Sequence, residues 1–239
     1  MASIAAVFFF MRLLGNPIAI ALGERSTEEE IAAKTEQAGF NRPLVEQFLD
    51  YLGQLGSGSF GTSIIRGDSI GGSIAASLPA TVELGIAILL IAVLVGLPLG
   101  TYLALRARTK LDNSVRTGTI ILYTLPSFVI AVLLKLLFSI WIPVFPASGR
   151  MQVQSSILLQ TQSQTGFAII DALRLGNLQV LGDVLWHLAL PAISIGLIVG
   201  ASFTRAVRVA VLNVVDADWY LEARNRFGSG LKTKFRHLL

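Results

Sequence analysis

The chain has 239 residues, of which 53% are hydrophobic and only 14% are charged, and its mean hydropathy is +0.67. A soluble domain carries about a quarter charged residues, so this composition excludes an ordinary soluble protein and predicts several membrane segments. The net charge of +4 does not indicate nucleic-acid binding, because the basic residues flank apolar segments without interleaved aromatic residues. The lack of cysteine excludes disulfides, thiolate metal sites and cysteine nucleophiles.

The first 81 residues divide into an apolar start and a polar loop. Residues 1–22 hold an apolar run that Arg12 and Asn16-Pro17 interrupt. It is shorter than the roughly 20 residues that a span needs, and we expect it to be the outer half of a first span whose beginning is missing. Residues 23–81 are polar and are predicted to form an external loop with amphipathic helices. One helix starts after Thr27, and the other is entered through Pro43 and carries an apolar stripe of Leu44, Phe48, Leu52 and Leu55.

Residues 82–215 are predicted to form the transmembrane core. Three apolar segments, at about 82–105, 119–142 and 188–210, are long enough to span a bilayer. Each contains a proline, which a membrane helix tolerates when its neighbours satisfy the freed carbonyl groups. Residues 143–186 form a second external loop. Its glutamine- and serine-rich stretch, 152–164, is interpreted as a disordered insertion, with a species-specific external loop as the alternative.

The basic residues alternate between loops in a way that predicts topology. The loop from Arg106 to Arg116 has a net charge of +3, and the tail after Phe203 has seven basic residues against three acids. The loops at 23–81 and 143–186 are acidic or neutral. By the positive-inside rule, the basic loop and the tail are cytoplasmic and the other two loops face outward.

The last segment, 216–239, carries a short amphipathic helix. Leu212, Val215, Trp219 and Ala223 recur at spacings of three and four, and Glu222 with Arg226 makes a favourable pair one turn apart. Gly228 can end this helix in a turn, and a basic stretch follows. The pattern alone leaves two alternatives open: a docking segment for a cytoplasmic partner, or a basic helix that lies on anionic lipid.

The same segment resembles a family signature. Residues 222–228 read Glu-Ala-Arg-Asn-Arg-Phe-Gly and resemble the Glu-Ala-Ala-x-x-x-Gly motif of ABC importer permeases, in the cytoplasmic loop that engages the ATPase. Tyr220 fits the Asp-Tyr lead-in of the dipeptide, oligopeptide and nickel branch, whereas Arg224 departs from the small residue at its position. Further stretches resemble this branch in the same order along the chain: 39–48, 60–63, 78–84, 96–100, 126–128, 146–149 and 187–192.

The resemblance implies an all-α, polytopic helical membrane protein with type I ABC importer permease architecture. Three full spans and a clipped first span would lie in a bacterial or archaeal cytoplasmic (inner) membrane. Its partners would be membrane lipid, a second permease subunit, an external solute-binding protein, and ABC ATPase subunits that hold the ATP and Mg, so that this chain carries no cofactor. The transported solute would be a peptide, or nickel or a related small solute. The coupling residues it implies are Tyr220, Glu222, Ala223, Arg224, Arg226 and Gly228.

This branch normally has two more spans after the coupling loop, whereas this sequence stops at Leu239 inside that loop. The alternative interpretation is therefore a truncated, non-transporting membrane fragment or a membrane-anchored interaction protein.

A few polar residues stand out as candidates for a functional role. Lys135 lies within an apolar segment and is a candidate for lining the translocation path, although a snorkelling role near the outer headgroups is favoured. Glu83 is interpreted as an interfacial carboxylate at a helix N-terminus. Neither His187 nor His237 has a second histidine at metal-ligand spacing, and no catalytic constellation appears. We therefore predict no metal site and no enzymatic activity.

Overall fold

A computed structural model describes residues 2–13, 15, 17–22, 26–63, 66–162, 165–217, 220 and 222. Regular structure in these residues is helical, with one isolated antiparallel bridge between Thr62 and Ser69. The chain divides into two compact units, Met1–Leu78 and Pro79–Leu239. The predicted all-α fold class is confirmed.

Short helices form most of the described part of the first unit: α1 (Ala2–Leu13), α2 (Pro17–Leu22), α3 (Glu28–Gln37) and α4 (Leu44–Gly56). The sequence start signal at Thr27 forms a complete capping box, in which Thr27 Oγ1 accepts from the Glu30 backbone N at 3.3 Å. Glu30 Oε2 accepts in return from the Thr27 backbone N at 3.4 Å. Two otherwise unpaired donors at the start of α3 are thereby satisfied.

Aromatic rings join α1 to α4. Phe8 lies 5.2 Å from Phe48 and 5.6 Å from Tyr51, measured between ring centroids, and Phe9 lies 5.3 Å from Phe48. These are distances at which aromatic pairs stabilise a packed interface. The predicted apolar stripe of α4 is only partly buried, because Leu44 at its start remains 41% exposed.

Two helices of the described chain are each long and apolar enough to cross a membrane: α5 (Ile70–Leu105) and, later in the chain, Leu178–Val215. Both begin before the positions at which the sequence predicts spans, 82 and 188. The second begins at 178 because the Asn177 side chain caps it, with Oδ1 accepting from the backbone N of Gln179 and of Val180. Residues 178–186, predicted to be loop, are therefore helical.

The segment predicted as one span at 119–142 is two helices with a break between them. Helix α6 (Lys110–Thr124) ends at Leu125, and α7 (Ser127–Lys135) continues into a π-helical turn, Leu136–Trp141. The two parts meet at 98°. Leu125 has an extended ψ angle of 134°, because a residue before proline is sterically pushed out of the helical region. Pro126, which caps the start of α7, has a ψ angle of 135°. Taken as one broken span, the pair gives the third membrane crossing.

Two short helices, α8 (Val153–Gln162) and α9 (Ala168–Arg174), precede the long helix α10 (Leu178–Val215). The predicted disordered insertion is wrong for residues 153–162. Its polar composition conceals Leu159, which is 6% exposed and packs in a buried cluster with Ala168, Ala172, Val180 and Val184. Burial of this one apolar face stabilises the short helix, since most helical stability in proteins comes from packing.

Small residues allow α5 and α10 to cross closely. A Cβ atom added at Gly100 would lie 2.7 Å from the Thr204 carbonyl oxygen and 2.8 Å from Val207 Cβ. A Cβ atom at Gly196 would lie 2.9 Å from Ile91 Cγ2. In lipid, where apolar helices gain nothing by leaving the solvent, such close backbone packing is a main source of helix association.

Candidate coupling site

The predicted coupling segment follows α10 directly. Beyond Val215, the backbone N of Asp216 donates to Leu212 O at 2.9 Å, and that of Ala217 donates to Val214 O at 3.2 Å. The Tyr220 backbone N then donates to Ala217 O at 3.0 Å. The helical hydrogen bonding thus continues into a turn, so the segment starts from the end of a helix that also contains a predicted span.

The structure describes two of the six predicted coupling residues, Tyr220 and Glu222. The Tyr220 side chain is 2% exposed, whereas Glu222 is exposed. Burial leaves Tyr220 little surface to offer a partner, so its side chain fixes the start of the segment to this chain. Ala223, Arg224, Arg226 and Gly228 lie outside the described residues.

A buried ion pair joins α10 to α6 at the end of the molecule that the sequence predicts to be cytoplasmic. Arg208 on α10 donates from Nε to Asp112 Oδ1 and from Nη2 to Asp112 Oδ2, both at 2.7 Å. The Asp112 side chain is 2% exposed. Two parallel bonds of this kind are the strong geometry for an arginine and a carboxylate.

Backbone groups complete the surroundings of Asp112. Its Oδ2 also accepts from the backbone N of Arg108 at 3.0 Å, and its own backbone N donates to the capping Thr109 Oγ1 at 3.3 Å. Arg108 has a positive φ of 66°, an uncommon conformation for a residue other than glycine. The linker between α5 and α6 is therefore held by the same carboxylate that binds α10.

Sequence reasoning counted Arg208 and Asp112 only as topology charges. The sequence contains one indication that Asp112 is paired: it is the single acid in an otherwise basic loop. Its partner lies 96 residues away along the chain, and no local pattern reveals a contact at that separation.

On the other side of the second unit, Glu83 of α5 is 7% exposed. Its Oε2 accepts from Arg150 Nη2, and its Oε1 accepts from the Ile169 backbone N at 2.8 Å. Arg150 Nη2 also donates to the Gly166 carbonyl oxygen at 2.9 Å. The prediction that Glu83 lies at a helix N-terminus is wrong, because α5 already begins at Ile70. The carboxylate is instead buried against the segment predicted to be external.

His187 and Lys135 have different surroundings. His187 Nδ1 lies 3.1 Å from Asp183 Oδ1, and Asp183 Oδ2 accepts from the backbone N of Gln152 at 2.8 Å. No group of three or more metal-ligating side chains occurs in the part of the chain that the structure describes. Lys135 is exposed, stands where α7 passes into the π-helical turn, and forms no salt bridge with any described residue.

Two long apolar helices, a broken third segment and a basic end define a polytopic helical membrane protein. The family model of the binding-protein-dependent transport system inner membrane component matches residues 96–239, and the chain belongs to this family of ABC importer permeases. The predicted inner-membrane location and permease class are confirmed.

Individual relatives belong to the peptide branch. The chain is 33% identical to the di/tripeptide transport system permease protein DppB of Pseudomonas aeruginosa, over 97% of this chain and 68% of that protein. It is 31% identical to the probable D,D-dipeptide transport system permease protein DdpB of Escherichia coli, over 93% and 65% of the two chains. It is 29% identical to the oligopeptide transport system permease protein OppB of Salmonella typhimurium, over 97% and 66%. The chain thus spans about two thirds of the length of these relatives.

Proposed function

We propose that this chain is a subunit of an importer that moves short peptides across the inner membrane. The observation that carries the proposal is the similarity over 97% of the chain to a di/tripeptide permease. The family description supports an external solute-binding protein as the donor of substrate. A second permease subunit would complete the pathway, and ABC ATPase subunits with ATP and Mg would supply the energy. Nickel or a related solute is less favoured, because the relatives reported above are named for peptides.

We further propose that residues 216–239 form the contact with the ATPase. The backbone hydrogen bonds from Leu212 to Tyr220 support a continuous mechanical path from α10 into this segment. Buried Tyr220 would hold the segment to α10, while exposed Glu222 lies on the side available to a partner. Arg224 and Arg226 are proposed as further contacts, with Ala223 and Gly228 setting the helix and its turn. Closure of the ATPases on ATP would move this segment and reorient the spans.

The first experiment is a deletion of the gene in its native host, followed by uptake of radiolabelled dipeptides and tripeptides. We expect uptake to fall and to return when the full-length gene is restored. Unchanged uptake of every labelled peptide, in a strain that has no second peptide importer, would contradict the proposal. It would favour the alternative of a membrane-anchored protein without transport, which no comparison supports.

The coupling assignment is tested by Glu222→Lys and Gly228→Val in the restored gene. We expect both variants to reach the membrane at normal levels but to lose uptake, because the contact with the ATPase is lost. Glu29→Lys is the matched control: it makes the same charge reversal at an exposed position of α3. Normal uptake by both coupling variants would overturn the assignment of this segment.

A further inference from the structure

The ion pair between Asp112 and Arg208 stands where three parts of the second unit meet. Arg208 lies on α10, ahead of the segment 216–239 that follows this helix. Asp112 lies in the first turn of α6. The α5–α6 linker binds the same carboxylate through the backbone N of Arg108. One carboxylate therefore connects the end of α10 to both the linker and α6.

The geometry of the ion pair fixes the orientation of the Arg208 guanidinium on the Asp112 carboxylate. Both carboxylate oxygens are engaged by separate guanidinium nitrogens at 2.7 Å, and Oδ2 also accepts the backbone bond from Arg108. The planar fork of arginine fixes orientation as well as distance, which a lysine cannot do. With its side chain only 2% exposed, Asp112 is shielded from water that could replace these bonds.

The close crossing of α5 and α10 lies near the same end of both helices. Gly100 lies close to the end of α5 at Leu105 and approaches Thr204 and Val207, the second of which adjoins Arg208 in sequence. A tilt of the α10 end relative to α5 would force these backbones together or apart. Packed interfaces of this kind shift between discrete arrangements and do not deform continuously.

We propose that Asp112 and Arg208 form a coupling strut, which passes the movement of the segment 216–239 from α10 to the α5–α6 linker and to α6. The inference rests on the proposed function, since the movement is supplied by an ATPase on that segment. The strut adds a positioning role for two residues that contact neither substrate nor nucleotide. Through it, α6 and the broken segment after Leu125 would follow the end of α10 during transport.

A structural role alone makes a different prediction. If the pair only stabilised the fold, its loss would lower the melting temperature or the amount of protein in the membrane. The peptide transported per ATP hydrolysed would then remain constant in the protein that survives. If the pair is a strut, its loss lowers this ratio even in fully assembled protein. ATP hydrolysis then continues, but the spans no longer follow the movement of the segment 216–239.

The test uses the assembled importer, purified from its native host through a tag on the full-length permease and placed in proteoliposomes. Uptake of a radiolabelled dipeptide and ATP hydrolysis are measured together for Asp112→Asn, Arg208→Gln, Arg208→Lys and the Asn/Gln double variant. Lys110→Gln is the matched control, because Lys110 is an exposed cation at the start of α6 that forms no ion pair with the described residues. Glu222→Lys reports on the coupling segment itself.

We expect each single variant to lower the dipeptide-to-ATP ratio by roughly 5-fold or more, the scale of a typical coupling between two sites. Arg208→Lys should fall too, since it keeps the charge but loses the fork. The double variant should be no worse than either single variant, because both remove the same link. Lys110→Gln should retain the normal ratio.

Two results would contradict the strut alone, and a third would contradict both the strut and the proposed function. A normal ratio in Asp112→Asn and Arg208→Gln, with Glu222→Lys uncoupled, would reject the strut and leave the proposed function standing. Additive losses in the double variant would show that the two residues act separately. Absence of dipeptide uptake in the unmodified importer would overturn the peptide proposal and the strut with it.

Discussion

Glu83 and Arg150 form an ion pair across 67 residues of sequence, and the Glu83 carboxylate also binds the Ile169 backbone N, 86 residues further along the chain. Glu83 lies on a membrane-crossing helix, while Arg150 and Ile169 belong to the segment predicted to be external. A single buried carboxylate therefore ties the α8–α9 region to α5. The order of that region depends on this tie as well as on its small apolar cluster.

Replacing Glu83 with alanine should loosen the segment 150–169. The Ile169 N–H and the Arg150 guanidinium would each lose an acceptor, and an unsatisfied buried donor costs about 1–3 kcal/mol. We expect a lower melting temperature of the detergent-purified protein and faster proteolytic cleavage between residues 150 and 169. Both are measured on the same preparation.

The exposed ion pair of Arg42 and Asp50 supplies the control. Its nitrogen and oxygen lie 2.9 Å apart, but the two side chains are 57% and 52% exposed, and exposed pairs contribute about 0–1 kcal/mol. Asp50→Ala should leave the melting temperature almost unchanged. An equal loss of melting temperature in Glu83→Ala and Asp50→Ala would show that burial does not determine how much each ion pair stabilises the protein.

Adding one methyl group at Gly100 should destabilise the packing of α5 against α10. In Gly100→Ala the new Cβ would lie 2.7 Å from Thr204 O, so the helices must separate, and overpacking of this kind costs about 1–3 kcal/mol. Gly85 is on the same helix with nothing within 4 Å of the Cβ position. Gly85→Ala should be neutral or stabilising by up to about 1 kcal/mol. Thermal unfolding in detergent checks both variants, and equal melting temperatures would contradict the crossing.

Helix α8 should depend on Leu159 far more than on its neighbours. Leu159→Ala removes a side chain that is 6% exposed within the cluster around Ala172, and such truncations cost about 2–5 kcal/mol. Ile157 on the same helix is 58% exposed, so Ile157→Ala should change stability by less than about 0.5 kcal/mol. Hydrogen exchange of the α8 backbone measures the difference. Equal exchange in the two variants would show that α8 is not held by this cluster.

The helical class and the main spans could be predicted because apolar length is a local property of the sequence. The same reasoning failed at residues 153–162, where glutamine and serine set the average composition and concealed the buried apolar residue Leu159. It also missed the break at Leu125, since Pro98 and Pro191 lie inside continuous helices while Pro126 ends one. The presence of a proline does not by itself indicate whether a helix continues through it or breaks.

The site was predictable only in its linear part. Glu222 and Gly228 stand in a contiguous motif, so the sequence alone supplies them. Asp112 with Arg208, and Glu83 with Arg150, are joined only when helices far apart in sequence pack together. Charge counting assigned Arg208 to topology, because a topological arginine and a paired one look the same in a single sequence.

Lys135 gives the last prediction, which separates a pathway residue from a snorkelling one. It is exposed at the end of α7, directly before the π-helical turn Leu136–Trp141. Near the outer end of an apolar segment, a lysine can extend its stem along lipid and place its ammonium group among headgroups. On this interpretation the charge meets lipid and takes no part in recognising the solute.

We therefore expect Lys135→Gln to leave both the KM and the maximal rate of dipeptide uptake unchanged in the restored native host. Lys135→Arg, which keeps the charge and the long stem, should behave in the same way. If glutamine raises the KM while arginine retains the normal value, the positive charge meets the peptide during transport. That result would place Lys135 on the translocation path, because a lipid-facing lysine has no means of altering the apparent affinity for a solute.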